Sequence, residues 1–382
     1  MIIKIPMSES IFYINPQSYS NLSRYDSGVL QNMPENSVVF YGSSLWDASP
    51  LRNTGMNLVF NYNKYRNPAI KGFSYLSSVF KIAHDIIKDR PKVVHIQWLR
   101  LFPIDWLFLK FLKSRGIKVI FTAHNLLPHD SGTKFESEYR RYYQTVDRII
   151  VHSPKTKDEL IDKFGIDADK INVIPHGPLD IYNNEDEVRQ RTEQLRRQYS
   201  LDGKIVFCSL GIQSPYKGTD LLIDAWMGSP ELKDNESCHL FIVGRNDGID
   251  YSKIKAVDNV TVLDERVSDL DFTSFLRLSS VALFPYRTIS QSGALFTAIQ
   301  NRTPVLVSDA GGLSDPLSYA KVGWCLGHAS ADNIAKWLCN LVANPDELHS
   351  VQKDNDAFDT VNQIYSWDHI SDMTLDLYNS LL

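Results

Sequence analysis

At 382 residues the chain is too long for one ordinary hydrophobic core and suits two domains of under about 200 residues each. Its 43% apolar and 22% charged residues exclude a disordered or fibrous protein, and no apolar run reaches the length that spans a bilayer. The net charge of −5 is uneven: residues 1–178 hold 23 Lys+Arg against 16 Asp+Glu, or +7, and the remainder hold 17 against 29, or −12, so an anionic membrane surface or a phosphorylated acceptor would suit the first half.

Two series of strand-then-helix units follow in chain order. The first has apolar runs at 11–14, 38–41, 58–60, 93–96, 119–121, 149–151 and 173–174, with helical stretches at 74–88, 105–114 and 154–163. Pro175, Gly177 and Pro178 close it, and a charged helix-forming stretch, 185–199, leads on. The second has strands at 205–210, 240–243, 260–263, 281–284, 305–307 and 323–326, with helices at 219–227, 270–278, 293–300 and 331–341. A final helix begins at Trp367. Short apolar strands alternating with helices predict parallel sheets covered on both faces. The expected fold class is therefore α/β, with two doubly wound Rossmann-like domains facing across a cleft. The expected division is 1–178, 179–365, and a helix at 366–382 returning to the first domain. The opening MIIKIPMSES lacks a signal-peptide core, and Cys208, Cys238, Cys325 and Cys339 form no C-x-x-C pair. A cytoplasmic protein with reduced cysteines is expected.

In open parallel sheets ligands bind at the carboxyl ends of the strands, so the loops there are the candidate sites. Gly211 to Gly218 follows the strand ending at Leu210, and Thr219 or Asp220 can cap the next helix. Lys217 would stand beside that helix N-terminus and neutralise a phosphate without a metal. After Phe284 comes Arg287, then Ser292-Gly293-Ala294 opening a helix, whose free N–H groups attract phosphate. Thr297 lies one turn further, where it would face the same ligand. In the first half, Thr122-Ala123-His124-Asn125 ends a strand and leads to His129-Asp130. His124 can exchange a proton or hold a sugar hydroxyl, and Asp130 is a candidate base. His95, Trp98 and Asn125 are acceptor-side candidates, as is Asn15, which ends the first strand; His176-Gly177 ends another. Asp167-Ala168-Asp169 and Asp269-Leu270-Asp271 are read as structural, so no metal is expected. The apolar, basic-ended segment 105–115, with Arg140 and Arg141, is a candidate for peripheral membrane contact.

Taken together, His95-Ile96-Gln97-Trp98, Thr122 to Asn125, Ile174 to Gly177, Gly211 to Gly218, Leu240 to Arg245 and Pro285 to Asp315 resemble a GT-B glycosyltransferase of the family 4 type over nearly the whole chain. The resemblance implies transfer of a sugar from a UDP- or GDP-sugar to a hydroxyl of a glycan or polyprenyl-linked acceptor, with no cofactor and no bound metal. It assigns Lys217 to the donor diphosphate, Ser292-Gly293-Ala294 to the diphosphate and donor sugar, and His124 to the reacting centre. The chain departs from the family in having Ile212 where an arginine commonly stands, and Ile289 and Thr297 where two glutamates stand. No ribose contact and no anomeric outcome therefore carry over. The Tyr-Arg…Ser-Gly pattern is similar to a bacterial branch used in surface polysaccharide assembly, at the inner membrane. No nucleic acid is expected as a partner. A GT-B sugar-nucleotide epimerase and a non-catalytic sugar-nucleotide-binding subunit are the alternatives.

Overall fold

Strand pairing is parallel throughout the computed structural model, which describes residues 11–127, 134–179, 182 and 184–382. The chain divides into two compact units, one formed by Met1–Gly177 with Ser366–Leu382 and the other by Pro178–Tyr365.

The first unit holds a seven-stranded sheet. Its strands are β1 (Ile11–Ile14), β2 (Val38–Ser43), β3 (Gly55–Phe60), β4 (Val93–Ile96), β5 (Lys118–Thr122), β6 (Arg148–Val151) and β7 (Ile171–Val173), ordered β3-β2-β1-β4-β5-β6-β7. Order reverses between β1 and β4, which run in register from Ile11 opposite Val93 to Ile14 opposite Ile96. Side chains pointing to opposite faces along each strand build two cores. Phe12, Ile14, Val94, Ile96, Val119 and Phe121 pack under the helices Pro68–Asp89, Phe102–Ser114, Glu136–Thr145 and Pro154–Phe164. Ile11, Tyr13, Val93, Ile120 and Ile150 pack under Asn21–Leu30 and the terminal helix Trp367–Asn379.

Helix starts follow their sequence signals. Asn67 and Ser153 each accept a backbone N–H of the first turn, and each is followed by proline at the first helical position. Asn21–Leu30 is a helix that the sequence reading lacks. It has no side-chain cap and no acidic first turn, and its buried residues are Ser23, Asp26 and Gly28 beside Tyr25, Val29 and Leu30. With half of its buried residues polar or glycine, its apolar periodicity is weak. Gly28 is needed for close approach: a Cβ there would lie 2.2 Å from the Trp367 ring. Ser371 Oγ donates to the Val29 carbonyl at 2.9 Å, fastening the two helices.

The second unit holds a six-stranded sheet of β8 (Ile205–Leu210), β9 (Cys238–Val243), β10 (Val260–Leu263), β11 (Val281–Phe284), β12 (Val305–Val307) and β13 (Gly323–Cys325), ordered β10-β9-β8-β11-β12-β13. Val206, Cys208, Phe241, Ala282 and Val305 face one core, and Phe207, Leu240, Ile242, Val281 and Leu306 face the other. The order reverses between β8 and β11, which are hydrogen-bonded neighbours. This is the topological switch point, where two consecutive crossovers leave in opposite directions and open a crevice at the strand ends.

Candidate functional site

The two phosphate-binding candidates of the second unit sit at that switch point, one after β8 and one after β11. Past Leu210 the chain turns through Gly211 to Ser214, makes a single 3₁₀ turn, Pro215–Lys217, and passes Gly218 into the helix Thr219–Gly228. Gly218 has φ +71°, and a Cβ there would meet the Pro285 carbonyl oxygen at 2.0 Å. Only glycine lets the two loops approach this closely. The buried Gln213 amide holds the loop from beneath. Its Nε2 donates to the carbonyls of Ser209, Gly211 and Val243 at 3.1, 3.0 and 3.1 Å, and its Oε1 accepts from Thr219 Oγ1 at 2.9 Å.

Lys217 is half-buried, with its ammonium 5.4 Å from the centroid of the Tyr286 ring. Burial lowers its pKa below the usual lysine value. Among the described residues no carboxylate lies within ion-pair distance of it. The helix Gly293–Gln300 begins at Ser292, whose hydroxyl makes no capping hydrogen bond. The intrahelical ladder starts at Leu295, whose N–H bonds the Ser292 carbonyl at 3.0 Å, so the N–H groups of Gly293 and Ala294 stay outside it. A lysine and two helix N-termini are thus gathered at the ends of two adjacent central strands.

Two expected donor contacts have protein partners in this structure. Arg287 is spent on Asp220, to which it makes a bidentate pair at 2.6 and 2.7 Å, and it also donates to the Pro215 carbonyl. Its backbone N–H bonds the Tyr216 carbonyl at 2.8 Å. Its charge is therefore neutralised, and it braces the Lys217 turn against the loop after β11. Thr297 is 1% exposed; its Oγ1 accepts from Leu179 N–H at 2.8 Å and donates to the Gly293 carbonyl at 2.8 Å. It anchors the chain entering the second unit and faces the protein interior, because the helix turns it under Gly293. The Asp-x-Asp pairs are structural: Asp167 accepts from Asp169 N–H at 3.1 Å, and Asp271 pairs with Arg191 at 2.6 Å.

In the first unit the carboxyl ends of β4 to β7 carry four histidines: His95 within β4, His124 after β5, His152 after β6 and His176 after β7. Tyr25 lies edge-on to His124 at 4.8 Å and to His152 at 5.4 Å, and is 5.0 Å from His176. Buried hydrogen bonds link them. His95 Nδ1 meets Tyr378 Oη at 2.7 Å, and His95 Nε2 meets Thr122 Oγ1 at 2.7 Å and the Gln97 amide at 2.8 Å. The other end of that amide is 3.0 Å from His124 Nε2, and His124 Nδ1 is 3.2 Å from His152 Nε2. His152 Nδ1 donates to the Ile174 carbonyl at 2.9 Å.

Burial, aided by the neighbouring imidazoles, keeps the histidines neutral. His95 and His152 are pushed down to about 3, His176 is pushed down by burial to about 4, and His124 is held well below its ordinary value. Beneath them, burial raises Asp26 to about 8, against hydrogen bonds from Tyr13 Oη and Asn15 Nδ2, both at 2.7 Å.

His124 keeps a partly exposed edge, with Trp98 5.8 Å away and Asn125 next to it, also partly exposed. His95 and Asn15 are fully enclosed and bound to protein groups, so they support the site from within instead of lining its acceptor side. His129 and Asp130 lie outside the described residues. His152, Gln97 and Tyr25 were missed from the sequence. His152 had the same signal as His124, a histidine just past the last residue of an apolar strand.

The residues 38–178 match the family model described as Glycosyltransferase Family 4, and 203–344 match that of Glycosyl transferases group 1. The chain is 25% identical over 295 residues to the D-inositol 3-phosphate glycosyltransferase of Gordonia bronchialis, across 69% of this chain and 61% of that protein. It is 27% identical over 190 residues to the mannosylfructose-phosphate synthase of Agrobacterium fabrum, across 47% of this chain and 41% of that protein. The match thus spans less than two thirds of either relative. Among solved structures it is similar to a Rickettsia africae glycosyltransferase (TM-score 0.69, 17% identity, 98% of each chain covered). It is also similar to Anabaena HepE solved with UDP-glucose (TM-score 0.73, 12% identity, 97% and 99% covered).

Proposed function

Given that the chain belongs to the family 4-type GT-B glycosyltransferases, we propose that it moves a glycosyl group from a UDP- or GDP-sugar to a hydroxyl of a glycan or lipid-linked acceptor. The observation that carries this reading is the gathering of Lys217 and two helix N-termini at the β8/β11 switch point. Breaking the sugar–phosphate bond leaves negative charge on a departing diphosphate. A desolvated ammonium and backbone N–H groups fixed in place before the reaction stabilise that charge without reorganising. Lys217 and the N–H groups of Gly293 and Ala294 take this part, and no bound metal is needed. His124, presented at the end of β5 with a partly exposed ring, meets the donor sugar or the reacting hydroxyl. HepE, solved with UDP-glucose, supports a uridine donor over a guanosine one.

The decisive experiment incubates the protein with a panel of UDP- and GDP-sugars, with and without hydroxyl acceptors, and follows products by proton NMR. Release of free nucleoside diphosphate with sugar appearing on the acceptor is expected. An isomerised nucleotide sugar formed without acceptor would mark an epimerase instead, and tight binding with no turnover a non-catalytic subunit.

The same reading places the enzyme in the cytoplasm, at the inner face of the membrane where surface polysaccharides are assembled. Support comes from the helix Pro68–Asp89. Phe73 (74% exposed), Phe80 (66%) and Ile87 (47%) recur every seventh residue along one stripe, with Lys81 and Lys88 exposed one position on. An apolar stripe edged by lysines suits an anionic bilayer surface. Segment 105–115 contributes less than its composition suggests, because Phe108, Leu109 and Leu112 are core and Leu107 is the large apolar side chain left exposed. We expect co-sedimentation with vesicles containing phosphatidylglycerol, reduced several-fold by Phe73→Ser with Phe80→Ser. Equal binding by the double variant would remove this surface from consideration.

A further inference from the structure

The histidine chain of the first unit has a direction, and the direction comes from one end. A carbonyl oxygen accepts and never donates, so the Ile174 carbonyl requires the proton of His152 to sit on Nδ1. A neutral imidazole with Nδ1–H has a lone pair at Nε2. That lone pair lies 3.2 Å from His124 Nδ1, so His124 carries its proton on Nδ1 and donates it to His152. His124 Nε2 then holds a lone pair as well. It faces the Gln97 amide at 3.0 Å, and the amide must turn its NH₂ to it. A planar amide is seated equally well with oxygen and nitrogen exchanged, and the hydrogen-bond network decides between the two. With the NH₂ on His124, the amide oxygen lies 2.8 Å from His95 Nε2, which donates to it, and His95 Nδ1 accepts from Tyr378 Oη at 2.7 Å. The one N–H at His95 Nε2 is shared between that oxygen and Thr122 Oγ1 at 2.7 Å, and every donor along the chain points from Tyr378 toward Ile174.

We propose that His152 is a positioning residue that locks His124 in its Nδ1–H tautomer and so fixes Nε2 as a hydrogen-bond acceptor. Its consequence for catalysis rests on the reading that His124 meets the substrate. A substrate hydroxyl that takes this edge must displace the Gln97 NH₂ from the one lone pair of Nε2 and arrive, as it does, as a donor, which orients the hydroxyl's own lone pairs away from the imidazole and toward an electrophile. Without His152 either tautomer of His124 is open to it, and the Nε2–H form turns the same edge into a donor. The role of His152 is thus that of the carboxylate behind a catalytic histidine, carried out here by a second imidazole fixed on a backbone carbonyl.

The test labels histidine with ¹⁵N and reads the tautomer of His124 by long-range ¹H–¹⁵N correlation, alongside steady-state kinetics. In the unsubstituted protein Nδ1 of His124 is expected to be protonated and Nε2 not. His152→Phe keeps a ring of similar volume but offers no acceptor; a mixed His124 tautomer is expected, with kcat reduced at least tenfold and donor KM within about twofold. His152→Gln places an amide oxygen near the position of Nε2 and is expected to restore the tautomer and most of kcat. The proposal is overturned if His124 of the unsubstituted protein carries its proton on Nε2, a result that does not depend on any variant folding. It is also overturned if His152→Phe leaves the tautomer unchanged. A shifted tautomer with unchanged kcat supports the lock and overturns instead the assignment of His124 to the reacting centre.

Discussion

Replacing Lys217 with alanine is expected to weaken binding of the donor's nucleoside diphosphate about 100-fold, with little change in stability. Hydrogen bonds to a charged group contribute about 1.5–3 kcal/mol, and each 1.4 kcal/mol is tenfold in affinity. Lys217 stands at the upper end of that range for two reasons. Its ammonium is already desolvated over Tyr286, and no carboxylate among the described residues competes with a phosphate for it. The same facts explain the small stability effect. Removing a half-buried cation that has no carboxylate partner among the described residues leaves no orphaned anion, so the usual penalty for breaking a buried pair does not arise. Titration calorimetry with UDP and GDP, paired with a thermal melt, reads both quantities. Lys217→Met separates charge from packing by keeping the stem. An alanine variant that binds as tightly as the parent protein sinks the diphosphate assignment. The neighbouring Arg287 provides the contrast, because its charge is taken up by Asp220 and its loss acts only through the position of the Lys217 turn.

The second large effect is acid lability of the first unit. His95, His124, His152 and His176 have folded-state pKa values depressed below the ordinary 6.5 by burial. The stability this represents is complete above the unfolded-state value and is lost as the pH falls toward the folded-state values, because the unfolded chain binds protons that the folded one refuses. Asp26 and Asp105 act in the opposite sense, since burial raises them to about 8 and about 7, and the folded chain keeps protons that the unfolded chain has released. Between pH 6 and 4.5 four histidines stand against two carboxyls. The net excess of about two protons on the unfolded chain costs about 3 kcal/mol per pH unit. Over that window of about 1.5 units the loss is roughly 4 kcal/mol, most of the stability of a domain at the lower end of the usual range of about 5–15 kcal/mol. Hydrogen exchange read by mass spectrometry should show peptides around Tyr25, His124 and His152 losing protection below pH 6 while peptides of β8 and β9 keep theirs. Equal protection at pH 7 and pH 4.5 would show that the imidazoles are solvated and titrate normally.

The positions of the strands were legible because parallel strands buried on both faces are short apolar runs, and these are separated by helices with Asn, Ser and Pro at their starts. β1, β4, β8, β10, β11 and β12 occupy the very residues predicted for them. The donor-side turn was legible as well. Gly211, Lys217 and Gly218 follow a strand and precede a helix, and in a doubly wound sheet that order alone places them at the carboxyl edge. What stayed hidden was local structure with a polar interior face. The helix Asn21–Leu30 buries Ser23, Asp26 and Gly28, and its identity comes from Trp367 and Ser371, more than 330 residues away.

Two kinds of information therefore separate. The sequence by itself determined the two sheets, their helices and the loops that end each strand, because backbone periodicity and glycine conformations are local properties. Only the tertiary structure decided which polar side chains in those loops are still available to a ligand. Arg287 and Thr297 read as donor contacts until Asp220 and Leu179 took their hydrogen bonds. His152 read as nothing until β5 and β6 paired side by side and set it against His124. A hydrogen bond has one donor and one acceptor, so each group's chemistry is settled by which neighbour reaches it first, and that neighbour is chosen by the sheet order.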